Sequence, residues 1–109
     1  MKVWLDDIRP APEGWEWIKD YHGFVECINK NYENIEEISF DHDISSYDED
    51  GKEKTGYDAL VLVENLVFYY SLHPPIVHVH SANAGAYNKM RAAMDKINFE
   101  REIRILDSL

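Results

Sequence analysis

"VHVHSAN", Val77 to Asn83, is the stretch from which the rest of the chain can be read. It opens with the β-branched residues that fill a buried parallel strand, then turns within a few positions into imidazole, hydroxyl and amide. Pro74 and Pro75 bound it on one side and Gly85 on the other, which predicts a short strand followed by a turn. "FDHD", Phe40 to Asp43, repeats the pattern. In "EEISFDHD" Ile38 and Phe40 alternate with Ser39 and Asp41, as in a strand that ends in two acids and an imidazole. The start of the chain does it a third time: "KVWLDDI", Lys2 to Ile8, runs apolar into Asp6 and Asp7 before "RPAPEG" halts regular structure.

Helical periodicity lies between these strands. Tyr21, Phe24, Val25 and Ile28 fall at i, i+3, i+4 and i+7, which predicts a helix to about Tyr32. Val61, Val63, Val67, Phe68, Tyr69 and Tyr70 favour strands by propensity. Tyr57 to Leu72 nevertheless has sixteen residues without Gly or Pro, longer than an ordinary strand, so a helix is expected, with Thr55 three residues ahead of Asp58 as its cap. Tyr87, Met90, Met94 and Ile97 mark one face of a third helix. "WEWIKD", Trp15 to Asp20, reads as a short strand or an irregular segment, and "REIRILDSL" as a closing strand through Ile103 and Ile105.

Strands alternating with helices indicate βαβ units and an α/β fold around a mainly parallel sheet of four to five strands. Such sheets bind ligands beyond the carboxyl ends of their strands, where this chain places "LDD", "FDHD" and "HSAN".

The length of 109 residues and a hydrophobic content of 45% suit one domain, residues 1–109. No apolar run approaches the ~20 residues of a membrane span, and Asp6, Asp7 and Arg9 interrupt what a signal peptide would keep apolar, so a cytoplasmic location is expected. With 21 acidic and 11 basic residues the net charge is -10, which repels the phosphate backbone of long nucleic acid and excludes non-specific DNA binding. A small phosphorylated ligand, or one nucleic-acid end in a local pocket, is compatible with it. Cys27 is the single cysteine, without a disulfide or thiolate metal partner, and is expected to pack on its helix face.

If the three strand ends adjoin, Asp6, Asp7, Asp41, His42, Asp43, His80, Ser81 and Asn83 share one crevice. Four carboxylates so close raise each other's pKa unless a cation, a histidine or Arg9 compensates. Two arrangements stay open: oxygen ligands from Asp6, Asp7 and Asp41 hold a divalent ion such as Mg²⁺, or the acids orient and charge the imidazoles. Each residue also has a plainer reading. An Asp after a strand is often a turn residue or helix cap, Ser81 or Asn83 can cap a helix starting near Ala84, and His78, one strand position deeper than His80, suits a satisfied or half-buried ring. It is the coincidence of three ends that carries weight. A helix starting after "SAN" would aim free N–H groups at the crevice, a setting for phosphate, and Arg9 could add a second clamp. Two other motifs fail: "SYDEDG" lacks the acids an EF-hand needs at its first and twelfth positions, and no H-x-[ST] pair of a two-histidine phosphodiesterase is present.

"VWLDDIRP", "ISFDHDI", "TGYDAL" and "VHVHSAN", in that order across almost the entire chain, resemble the small receiver-like proteins of bacteria and phages described as cyclic-phosphate processing receiver domains. The resemblance implies a receiver-like (flavodoxin-like) three-layer sandwich. Asp6 and Asp7 would match the acidic pair of the first strand, Asp41 or Asp43 the aspartate that true receivers phosphorylate, and Ser81 the hydroxyl of the fourth strand. Ordinary receivers also carry a lysine ending the last strand, whereas only Arg101 and Arg104 follow Lys96 here, which speaks against phosphorelay signalling.

The expected activity is therefore hydrolysis of a phosphate ester, above all a cyclic phosphate on a nucleotide or nucleic-acid end. Ring opening needs a base, an acid and stabilisation of added negative charge. Histidine's unperturbed pKa near 6.5 lets His42 and His80 divide the first two tasks. Asp41 and Asp43 would support them, Arg9, Ser81 and Asn83 would hold the phosphate, and Asp6, Asp7 and Asp41 would bind a metal or orient the rings. The alternatives are a module that sequesters a cyclic nucleotide without turnover, or a degenerate receiver used for protein contacts through aromatics such as Trp15, Trp17, Tyr69 and Tyr70.

Overall fold

The computed structural model describes residues 1–109. In chain order the elements are β1 (Lys2–Leu5), β2 (Trp15–Ile18), α1 (Tyr21–Asn31), a single 3₁₀ turn (Tyr32–Asn34), β3 (Glu37–Phe40), β4 (Ser46–Tyr47), β5 (Glu53–Lys54), α2 (Gly56–Phe68), β6 (Ile76–Val79) and α3 (Ala84–Asp107). Strands β1, β2, β3 and β6 form one parallel sheet in the order β2-β1-β3-β6, the α/β receiver-like architecture expected from the sequence. "WEWI" is a true edge strand. The acidic loop after β3 folds into the small antiparallel pair β4-β5.

Alternation along the strands sorts the side chains into two faces. Val3, Leu5, Ile38, Phe40 and Val77 share one core with Phe24, Cys27 and Ile28 of α1, Ala59, Leu60, Val63 and Val67 of α2, and Met90, Ala93 and Ile97 of α3. The helical layer of the sandwich therefore gathers on that face. The other face carries Trp4 in register with Trp17 and Ser39, and Ser39 in register with His78. The segment 6–14, which links the neighbouring parallel strands β1 and β2, is tied to this face by two indoles: Trp4 Nε1 donates to the Arg9 carbonyl (2.9 Å) and Trp17 Nε1 to the Asp6 carbonyl (2.7 Å).

Capping fixes where the helices begin. Asp20 accepts from Gly23 N (2.7 Å) to start α1, and Thr55 and Asp58 make a reciprocal capping box at α2. The strand formers of α2 are accommodated because Leu60, Val63 and Val67 fall on one buried stripe. Gly56 is required by close approach: Gly56 N donates to the His42 carbonyl (2.8 Å), and a Cβ there would lie 1.5 Å from the Asp41 carbonyl oxygen. The start of α2 is thereby clamped against the polar tail of β3.

The expected closing strand through Ile103 and Ile105 does not form; those residues belong to α3. Two β-branched residues at alternate positions are a weak strand signal, and from Ala86 to Asp107 nothing breaks the helix. Tertiary bonds confirm the choice. Arg104 donates to Glu100 and to the carbonyls of Val67 and Leu72, fastening the helix end to α2. Asn98 accepts from Val77 N (2.8 Å) and donates to Val77 O (2.9 Å), satisfying the edge of β6 where a fifth strand would otherwise pair. No helix is long and apolar enough to cross a membrane.

Candidate functional site

Asp6 follows directly from β1, on the face that carries Trp4, and is 1% exposed. A buried carboxylate must find partners, and Asp6 has four. Its Oδ1 accepts from the backbone N–H groups of Ile8 (2.9 Å) and Arg9 (2.8 Å), and its Oδ2 from Arg9 Nε (2.8 Å) and His80 Nε2 (3.1 Å). Burial alone would raise its pKa. The two backbone bonds, the Arg9 charge and the His80 bond outweigh that and hold the carboxyl below the usual range.

His80 joins β6 to β1 and β3. Its ring stacks on Trp4 (centroids 3.8 Å apart, planes within 8°), its Nε2 meets Asp6, and its Nδ1 lies 2.7 Å from Ser39 Oγ. An ionised Asp6 can only accept, so the proton sits on Nε2 and Nδ1 accepts the Ser39 hydroxyl. Burial, helped by the positive charge of Arg9 and opposed by Asp6, keeps the ring pKa below its usual value. His80 is thus a neutral imidazole with both nitrogens engaged.

Arg9 reaches from β1 to β3. Its Nε pairs with Asp6 and its Nη2 with Asp41 Oδ1 (3.0 Å), two acids that would otherwise repel each other. Burial pushes the Asp41 carboxyl up, and Asp6 and Asp43 push in the same direction, against the pull of the His42 backbone N–H and Arg9. Asp6, Asp7, Arg9, Asp41 and Asp43 line a cavity of about 280 Å³ together with Ile8 and Ala82. Ligand oxygens of Asp6, Asp7 and Asp41 lie within 4.8 Å of one another, close enough for one divalent ion. The fit is conditional. Asp6 spends both oxygens on four donors, so it can ligate an ion only if Arg9 gives way.

His42, one residue further along the β3 tail, donates from Nδ1 to Asp43 Oδ1 (2.7 Å). Asp43 is largely exposed and lines the cavity, while the His42 side chain is half-buried. Ser81 and Asn83 act as turn and cap: Ser81 Oγ accepts from Asn83 N (3.1 Å) and Asn83 Oδ1 from Ala86 N (3.1 Å). Their plainer reading is realised, and Ala82 between them lines the cavity. His78 is bonded to Glu37, but on an exposed part of the sheet face.

The structure therefore joins Asp6, Arg9, Asp41 and His80 into one bonded cluster, with Asp7 and the His42–Asp43 pair at its border. Sequence reasoning missed Trp4, Ser39 and Gly56. The first two were legible in principle, since Trp4 precedes Asp6 by two and Ser39 precedes Asp41 by two, positions that share a sheet face. A larger cavity of about 650 Å³, lined by Tyr32, Leu66, Leu72 and His73 among others, lies at the opposite ends of the strands, away from this chemistry.

No curated protein and no solved structure matches the chain. A family model does, over residues 1–96, a span that includes every residue of the cluster and ends within α3. The match takes in most of the chain and all four strands of the parallel sheet, and the chain belongs to the cyclic-phosphate processing receiver domain family.

Proposed function

We propose that the protein hydrolyses a cyclic phosphate carried by a nucleotide or nucleic-acid end, at the cavity beyond β1, β3 and β6. The observation that carries this reading is the bonded cluster itself: a neutral imidazole, an arginine and two buried acids of opposite pKa shift meet at the edge where α/β sheets bind ligands.

In this reading His42 is the base. Asp43 accepts its Nδ1–H, which leaves the Nε2 lone pair to take a proton from water. The water oxygen attacks phosphorus, one ring P–O bond breaks, and the departing ribose oxygen takes a proton, giving a phosphomonoester. Asp41 stays a carboxylate paired with Arg9, so that proton comes from solvent and Asp41 serves to hold the guanidinium against the phosphate. Arg9 uses two of its five N–H donors on Asp6 and Asp41, and the rest remain for phosphate oxygens. The start of α3 adds unpaired backbone N–H groups beside Ala82. His80 and Asp6 are positioning residues that fix Arg9. A divalent ion on Asp6, Asp7 and Asp41 would, when bound, neutralise charge on the phosphate.

Phosphorus NMR of 2′,3′-cyclic nucleotides, cyclic-phosphate RNA ends and cyclic oligonucleotides, with Mg²⁺ or chelator, tests this. Conversion of a cyclic to a monoester resonance is expected, and its absence across the panel refutes the proposal. One observation favours a second reading, binding without turnover: His80 has neither ring nitrogen free. Stoichiometric binding with intact ligand recovered after denaturation would establish it.

A further inference from the structure

We infer that Arg9 is the resident cation of the acidic site and that a divalent ion and the Arg9 bridge exclude each other. Asp6 and Asp41 are the two deeply buried acids of the cluster, and Arg9 spans them with two separate nitrogens, Nε at 2.8 Å from Asp6 and Nη2 at 3.0 Å from Asp41. An ion ligated by Asp6, Asp7 and Asp41 has to lie among the same oxygens, which are within 4.8 Å of one another. Mg²⁺ takes oxygen ligands at about 2.0–2.1 Å and tolerates little distortion. Asp6 meets that demand only by releasing donors, and three of its four are fixed: Ile8 N and Arg9 N by the turn, and His80 by its bond to Ser39 and its stack on Trp4.

The donor able to leave is the Arg9 guanidinium, on a side chain 47% exposed. Lysine could not do the same work, because a single ammonium is a point charge and would not bridge two carboxylates as a planar fork does. The two buried acids thus have part of their charge offset from within the chain, by one guanidinium shared between them. Metal binding and release of Arg9 are one event, and the freed guanidinium moves toward solvent and any bound phosphate.

The test follows both partners in the wild-type protein. Mg²⁺ is titrated to tens of millimolar while its occupancy is read by calorimetry and the Arg9 Nε–H by nitrogen-resolved NMR. The Arg9 resonance is expected to shift with the same midpoint as occupancy. Arg9→Gln is expected to bind Mg²⁺ at least about tenfold more tightly, the equivalent of ~1.4 kcal/mol, and Arg9→Lys to fall between the two. Binding by the wild type with an unmoved Arg9 signal overturns the inference. So does an Arg9→Gln protein that binds Mg²⁺ no more tightly than the wild type. Neither readout depends on turnover, so the result stands whether or not a cyclic phosphate is hydrolysed.

Discussion

Asp6→Asn separates what the charge of this residue does from what its shape does. Asparagine keeps one oxygen for the N–H groups of Ile8 and Arg9, so the turn after β1 retains its acceptor. Its amide then faces His80 Nε2 and Arg9 Nε, both donors in the parent. His80 can escape by moving its proton to Nδ1 and donating to Ser39 Oγ, which leaves Nε2 to accept from the amide. Arg9 cannot escape, and its charge-assisted bond is lost. Such a bond is worth about 1.5–3 kcal/mol, reduced here because the arginine is half in solvent, so a loss of about 1–2 kcal/mol is expected. Asp6→Ala additionally strands two backbone N–H groups and should cost about 3–5 kcal/mol in all. With a urea slope of roughly 1–3 kcal/mol per molar for a domain of this size, the two midpoints should separate clearly. The His80 proton should appear on Nδ1 in the Asn variant by nitrogen NMR. Equal midpoints for Asn and Ala, or a proton that stays on Nε2, would refute this account of the cluster.

Other consequences are as direct. Asp41 titrates higher in the folded than in the unfolded chain, so its ionisation opposes folding, a penalty present at neutral pH and relieved as pH falls through its folded pKa toward the unfolded value of about 3.9. Asp41→Asn should therefore gain stability relative to the parent at neutral pH and lose that advantage near pH ~4, as measured by urea midpoints at both pH values. His80 has a lowered pKa, so the unfolded chain takes its proton first and stability falls as pH drops below about 6.5; His80→Gln should flatten the stability curve in that window. Gly56→Ala forces a Cβ to 1.5 Å from the Asp41 carbonyl oxygen, so α2 must leave the β3 tail. A destabilisation above ~3 kcal/mol by urea unfolding is expected, with disturbed Asp41 and His42 amide resonances.

What the sequence revealed, and what it hid, follow from the range of the forces involved. The strand ends "LDD", "FDHD" and "HSAN" were legible because a parallel strand buried on one face and opening onto an edge leaves an apolar-to-polar break in the chain. The cap at Thr55 was legible because it is a local bond across three residues. The end of the fold was not. Ile103 and Ile105 alternate as a strand would, and only the contacts of Asn98 with Val77 and of Arg104 with α2 decide for helix. The same α3 takes up the residues where a fifth strand was expected, so Arg101 and Arg104 lie on a helix and not at a strand end. Roles within the site were also hidden. His42 and His80 looked equivalent in sequence, but Ser39 and Trp4, distant along the chain, engage one ring and leave the other with a free nitrogen.

The most direct measurement is the single-turnover rate at which a 2′,3′-cyclic nucleotide becomes its monophosphate, compared between the parent protein and His42→Ala. Loss of the base should lower the rate by about 10²–10⁴-fold while the ligand still binds. Parent-like opening of the ring by His42→Ala would contradict the central claim.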